Sequence, residues 1–261
     1  MYVRTDDGRR IAYDREGSGG RPLVLVGGLG QARPTDTATR ALTTALAGRG
    51  FDVVHHDRPG RGESTGEPPF TLDGEIAAIR ALVTELGGSA ALYGSSSGGA
   101  IALAAAAVLP EVDRLVLWEL PAGLEGGDEA RAWHRGIVER SASGDHEAVL
   151  RLVTADMPPE WLEGMLAGPD REHHLRLAPT TAADAEALAW TADALRDGTL
   201  ARRVTVPTTV LTGTSAWPFL VEAADALVDA LPDARRGEVP GAGHGWEPED
   251  LARVLGDVLG S

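Results

Sequence analysis

Where an apolar run, Ala91-Leu92-Tyr93, meets an alanine-rich one, the chain sets three serines between glycines as Gly94-Ser95-Ser96-Ser97-Gly98. Only Ser96 has glycine at both −2 and +2. That is the G-x-S-x-G spacing of a nucleophile elbow, in which a strand turns so sharply into a helix that residues flanking the serine must lack bulky side chains. A hydroxyl held there faces the free N–H groups of the helix start, which suit negative charge developing on a reacting oxygen. A serine hydroxyl is a weak nucleophile and needs a base to take its proton. His244, within Gly241-Ala242-Gly243-His244-Gly245-Trp246, is the best candidate, because imidazole titrates near neutrality and the glycines leave room to aim it. His55 and His56 end an apolar run and read as structural, while His134, His146, His173 and His174 fall in a helix-rich middle region. Neighbouring side chains such as His173 and His174 point apart on a helix, so no metal site is expected from them.

Such a serine and histidine need a rigid frame. Short β-rich runs alternate with longer helical patterns, the signature of a parallel sheet built from βαβ units. The strand candidates are "RRIAYDREG", "PLVLVGG", "FDVVHHD", "AALYG", "RLVLWE", "TTVLTG" and "ARRGEV", the first being an arm of a hairpin after the turn signal Asp7-Gly8. Helical patterns separate them, several opening at Thr or Asp and closing at Gly or Pro. Residues 122–204 break the rhythm, with no good strand but several helix-like pieces, including "EARAWHRGIVER", "DHEAVLRLVTAD", "PPEWLEGMLA" and "AADAEALAWTADALRD". An insertion at the carboxyl end of a sheet strand sits where open α/β sheets bind ligands, so a helical cap over a pocket is expected. The expected organisation is a core of residues 1–121 and 205–261 carrying this insertion.

Composition narrows the function classes. The 261 residues, 43% of them hydrophobic, suit one large domain with an insertion. A net charge of −15 argues against nucleic acid or an anionic membrane surface as partner. The absence of cysteine excludes disulfides and thiolate chemistry, and because every basic side chain is arginine, a catalytic lysine is excluded too. The opening "MYVRTDDGRR" has no signal-peptide pattern and no apolar run is long enough for a membrane span, so a soluble, cytoplasmic protein is expected. No cofactor is expected. Nothing in the pattern fixes the oligomeric state, and a homodimer is compatible with it.

Four motifs in order resemble those of the α/β-hydrolase fold superfamily: "LVLVGGLGQ", "VVHHDRPGRGES" with Asp57, Gly60, Gly62 and Ser64, the Ser96 elbow, and "VPGAGHGWEPEDLARVL" with His244. The resemblance implies an eight-stranded, mostly parallel sheet with helices on both faces and a serine hydrolase of the esterase or lipase kind, with Ser96 as nucleophile and His244 as base. It also implies an oxyanion hole from the backbone N–H groups of Leu29 and Ser97. Two positions depart from the family pattern. Gly27 stands where many relatives have histidine. Ala216 stands where most carry the acid that orients the histidine, in a G-x-x-D pattern after the seventh strand. Some members carry the acid at the end of the preceding strand, where this chain has Glu119; the alternative for Glu119 is a charge at the insertion hinge that binds an arginine. Glu222 and Asp225, on the next helix, are poorer candidates. Trp133, Trp161, Trp190 and Trp217, with Gly28, are candidate pocket residues for an apolar acyl substrate, although tryptophans at helical spacing are more often core. A lyase, cyclase or acyltransferase on the same scaffold, and a non-catalytic small-molecule binding protein, are the rival functions.

Overall fold

The computed structural model describes residues 1–260. Its sheet has eight strands in the order β1-β2-β4-β3-β5-β6-β7-β8: β1 Tyr2–Arg4, β2 Arg10–Glu16, β3 Arg21–Val26, β4 Phe51–His56, β5 Ala90–Ser95, β6 Val112–Trp118, β7 Thr208–Ser215 and β8 Ala234–Ala242. The β1–β2 and β2–β4 pairings are antiparallel and the others parallel. β4 is buried throughout, and the 23–26, 90–93 and 115–118 stretches of β3, β5 and β6 are continuous buried apolar runs, as strands covered on both faces require.

Alternation along the strands divides the core between two faces. Val24, Val26, Leu92, Leu115, Leu117 and Val210 meet helices α2 (Leu72–Glu85), α3 (Ser97–Ala106) and α10 (Pro218–Ala230). Leu23, Leu25, Tyr93, Val116, Trp118, Leu211 and Val239 meet α1 (Thr37–Ala47) and α11 (Pro248–Leu259). Every residue of α3 is buried, and its small side chains let it lie against the sheet: a Cβ on Gly94 would come within 2.6 Å of Gly99 Cα.

Between β6 and β7 the described chain is helical: α4 Asp128–Ala142, α5 His146–Val153, α6 Pro159–Ala167, α7 Arg171–Leu177, α8 Thr181–Arg196 and α9 Leu200–Arg203. Ile137, Val149, Leu150, Val153, Ala178, Ala182 and Ala185 form an apolar cluster within this segment. α8 has a second attachment, since its Ala187 and Ala194 join the main core beside α3. Among the described residues no helix is long and apolar enough to cross a membrane.

Candidate active site

Ser96 follows β5 directly and caps α3 with φ 54° and ψ −128°, a conformation that costs a side-chain-bearing residue energy. The turn depends on the glycines two residues to either side; a Cβ on Gly98 would collide with the Val26 and Gly27 carbonyls. The Ser96 N–H donates to the Trp118 carbonyl at 2.8 Å, which ties the turn to the end of β6, while its half-buried hydroxyl has no hydrogen-bond partner among the described residues. Ser97 is the first residue of α3, so its N–H has no intrahelical acceptor.

Glu119 is the residue after β6 and is 1% exposed. Its Oε2 lies 2.5 Å from His244 Nδ1, and its Oε1 accepts the Gly213 N–H from β7 at 2.9 Å. A carboxylate against Nδ1 keeps the proton on that nitrogen and leaves Nε2 with a free lone pair. Ser96, Glu119 and His244 are the three non-glycine residues with positive φ among the described residues, at 54°, 41° and 69°. Backbone strain of this kind gathers at functional sites. Two of the three sequence-predicted residues are thus joined directly, and the third sits one peptide from Glu119, on the Trp118 carbonyl.

The loop after β3 lies against the serine. A Cβ on Gly28 would come within 3.2 Å of Ser96 Cβ and 2.9 Å of the Ser95 carbonyl, so only glycine fits there. The Leu29 N–H has no acceptor among the described residues. With Gly27 in place of histidine, the loop is anchored by Gln31, which accepts the Gly28 N–H at Oε1 and donates from Nε2 to Asp36 at 2.8 Å.

A buried ion network that the sequence does not advertise lies behind this loop. Arg58 and Arg61 are at most 1% exposed and share the fully buried carboxylate of Asp184, on α8. Arg58 also pairs with buried Glu75 at 2.9 Å. Burial alone would raise the Asp184 pKa, but the two guanidiniums outweigh it and hold the carboxyl below its ordinary range. Arg58 and Arg61 fall inside "DRPGRGES", where a motif reading looks only at Asp57 and the glycines. Asp57 in turn accepts from the backbone N–H groups of Arg33 (2.8 Å) and Glu63 (2.9 Å).

Residues 23–255 match the family model described as "Alpha/beta hydrolase family". The chain belongs to the α/β hydrolase family. An α/β hydrolase from Sphaerobacter thermophilus DSM 20745 superposes with a TM-score of 0.84 at 28% identity, covering 99% of this chain and 100% of that one. A thermophilic esterase from Thermogutta terrifontis shares the fold with a TM-score of 0.73 at 24% identity, over 99% of this chain and 96% of that one. Polyketide synthase ThaQ of Burkholderia thailandensis is 32% identical over 251 residues, 91% of this chain; the chain spans only 11% of ThaQ.

In this α/β hydrolase the tryptophans separate into two groups. Trp217 stacks on the His244 imidazole, with ring centroids 6.0 Å apart and planes 13° apart, and on Phe219 at 6.0 Å and 19°. Trp161, on α6, meets Trp217 at 6.4 Å. Trp133 packs against the apolar cluster of the helices between β6 and β7 and donates to the Leu152 carbonyl at 3.2 Å, and Trp190 packs on the main core. His55 and His56 are buried at the end of β4, and His173 lies 3.4 Å from the Thr35 hydroxyl.

Proposed function

We propose that this α/β hydrolase is a serine hydrolase that cleaves an ester, lactone or thioester of a small to medium apolar acyl substrate through an acyl-enzyme. Ser96 Oγ attacks the carbonyl while His244 Nε2 takes its proton. Glu119 holds the imidazole in that tautomer and stabilises the imidazolium. The Leu29 and Ser97 N–H groups receive the oxyanion, a contribution worth about 10²–10³ in turnover for each donor. His244 then protonates the leaving group, and water activated by the same nitrogen releases the acid. Contact between Ser96 and His244 closes as substrate binds, because catalytic hydrogen bonds in free enzymes are often longer than in the complex.

The observation that carries this reading is the Glu119 carboxylate seated on His244 Nδ1, one peptide from the Ser96 turn. The helices of residues 122–204 act as a cap, a role supported by the Trp161–Trp217 contact and by Leu29 packing against the insertion's cluster. The Trp217–Phe219 stack beside His244 supplies an apolar surface suited to an acyl or aryl group. A fluorophosphonate probe tests the chemistry: it should label the protein, and labelling should vanish in Ser96→Ala. Absence of labelling would favour the small-molecule binding protein instead.

The extended similarity to a segment of ThaQ favours a second reading, in which the acyl-enzyme is released in a biosynthetic sequence by a substrate hydroxyl or amine rather than by water. Product analysis separates the two, since cyclisation or transfer yields a lactone, lactam or new ester in place of free acid.

A further inference from the structure

The carboxylate of Asp184 joins both sides of the proposed oxyanion hole. Its Oδ1 accepts from the Ser97 hydroxyl at 2.7 Å and from Arg58 at 2.7 Å, and its Oδ2 accepts from Arg61 at 2.7 Å and Arg58 at 3.1 Å. The two guanidiniums then reach the loop that carries Leu29. Arg61 donates to the Gly28 carbonyl at 2.8 Å and to that of Gln31 at 3.2 Å; Arg58 donates to the carbonyls of Gly27 at 3.2 Å and Gly28 at 3.4 Å.

The grip on the Gly28 carbonyl has a geometric consequence. That C=O and the Leu29 N–H belong to one peptide plane, and in a trans peptide they point in opposite directions. Pulling the carbonyl toward Arg61 and Arg58 therefore turns the Leu29 N–H the other way. Three of the five residues in Gly27-Gly28-Leu29-Gly30-Gln31 are glycine, so the loop's own torsions are soft, and the one backbone bond within the loop to that carbonyl, from the Gln31 N–H, is long at 3.4 Å beside the 2.8 Å of Arg61. At the other donor, the Ser97 side chain is tethered to the same carboxylate. We infer that Asp184 is a positioning residue: through Arg58, Arg61 and Ser97 it aims both oxyanion donors, so that an insertion helix sets the geometry of the hole. The inference rests on the serine-hydrolase reading above.

Removing charge from a buried cluster of two arginines and two carboxylates costs stability whatever its role, so loss of stability alone decides nothing. The test compares Asp184→Asn and Ser97→Ala with the unaltered protein, using p-nitrophenyl esters and a trifluoromethyl ketone inhibitor whose serine adduct carries the oxyanion. Ser97→Ala leaves every charge paired and decides the matter should Asp184→Asn fail to fold. Expected, at a temperature where both variants are folded, is a fall in kcat of about tenfold to a hundredfold with KM nearly constant, a partial loss of the effect of one donor. Inhibitor affinity should fall in parallel. A lowered melting temperature with kcat and inhibitor affinity within twofold of the unaltered protein would overturn the inference while leaving the hydrolase reading intact. Absence of Ser96-dependent turnover in the unaltered protein would instead remove both.

Discussion

His244 takes its carboxylate partner from the end of β6, with Glu119 Oε2 2.5 Å from its Nδ1, although the family pattern usually puts that acid after β7. β7 still contributes: the Gly213 N–H holds Glu119 Oε1, so neighbouring strands share the work of orienting the carboxylate. A buried carboxylate bound at both oxygens has little freedom to leave the imidazole.

Glu119→Gln keeps the shape and the Gly213 contact but presents an NH₂ group to Nδ1. The imidazole then places its proton on Nε2, the wrong tautomer for a base. Turnover of a p-nitrophenyl ester should fall by about three to four orders of magnitude, the cost known for an amide in place of a triad carboxylate, while the thermal transition stays cooperative. Adding Ala216→Asp to this variant should restore part of the loss, because residue 216 is where the family's usual acid falls. Steady-state kinetics decide it, and activity within tenfold of the unaltered protein would reject Glu119 as the acid.

The sheet was legible in the sequence because its signals are local. β3, β5 and β6 contain short apolar runs, and the Ser96 turn carries its glycines within five residues. Glu119 stood out for the same reason, as a carboxylate directly after Leu115-Val116-Leu117-Trp118. The ion network behind the loop after β3 was not legible. Its parts, Arg58, Arg61, Glu75 and Asp184, are up to 126 residues apart, and each taken alone resembles an ordinary surface charge. Burial and mutual pairing exist only once α8 has packed against α3, and no spacing rule encodes that meeting.

Gly213→Ala tests the Glu119 orientation from the strand side. The new Cβ would come within 3.2 Å of Glu119 Oε1 and 3.0 Å of the Gly241 carbonyl, too close to be accommodated without movement. Overpacking of this kind costs about 1–3 kcal/mol. The expected result is a moderate drop in melting temperature together with at least a tenfold loss of kcat. Unchanged kinetics would mean that Glu119 tolerates the displacement.

Trp217→Ala removes the ring that covers His244 and bridges Phe219 to Trp161. Loss of about 1 kcal/mol of aromatic contact corresponds to roughly a fivefold rise in KM. The rise should appear with hexanoate or aryl esters and be small with acetate, flattening the chain-length preference. An equal effect on every ester would assign Trp217 to positioning His244 rather than to binding.

His56 gives the fold a pH dependence separate from the chemistry. Burial, and after it the positive charge of His55 and Arg58, lowers its pKa from 6.5 to about 3. The folded protein therefore keeps the ring neutral where the unfolded chain takes up a proton. Stability from this residue is complete above pH 6.5 and declines as pH falls toward 3, at a limiting slope of about 1.4 kcal/mol per pH unit for one proton. Buried His55, also lowered chiefly by burial, adds in the same direction. Urea denaturation between pH 7.5 and pH 5 should show the loss, and His56→Met, which cannot titrate, should flatten the profile. An identical slope in the variant would mean that His56 accepts its proton in the folded state as readily as in the unfolded one.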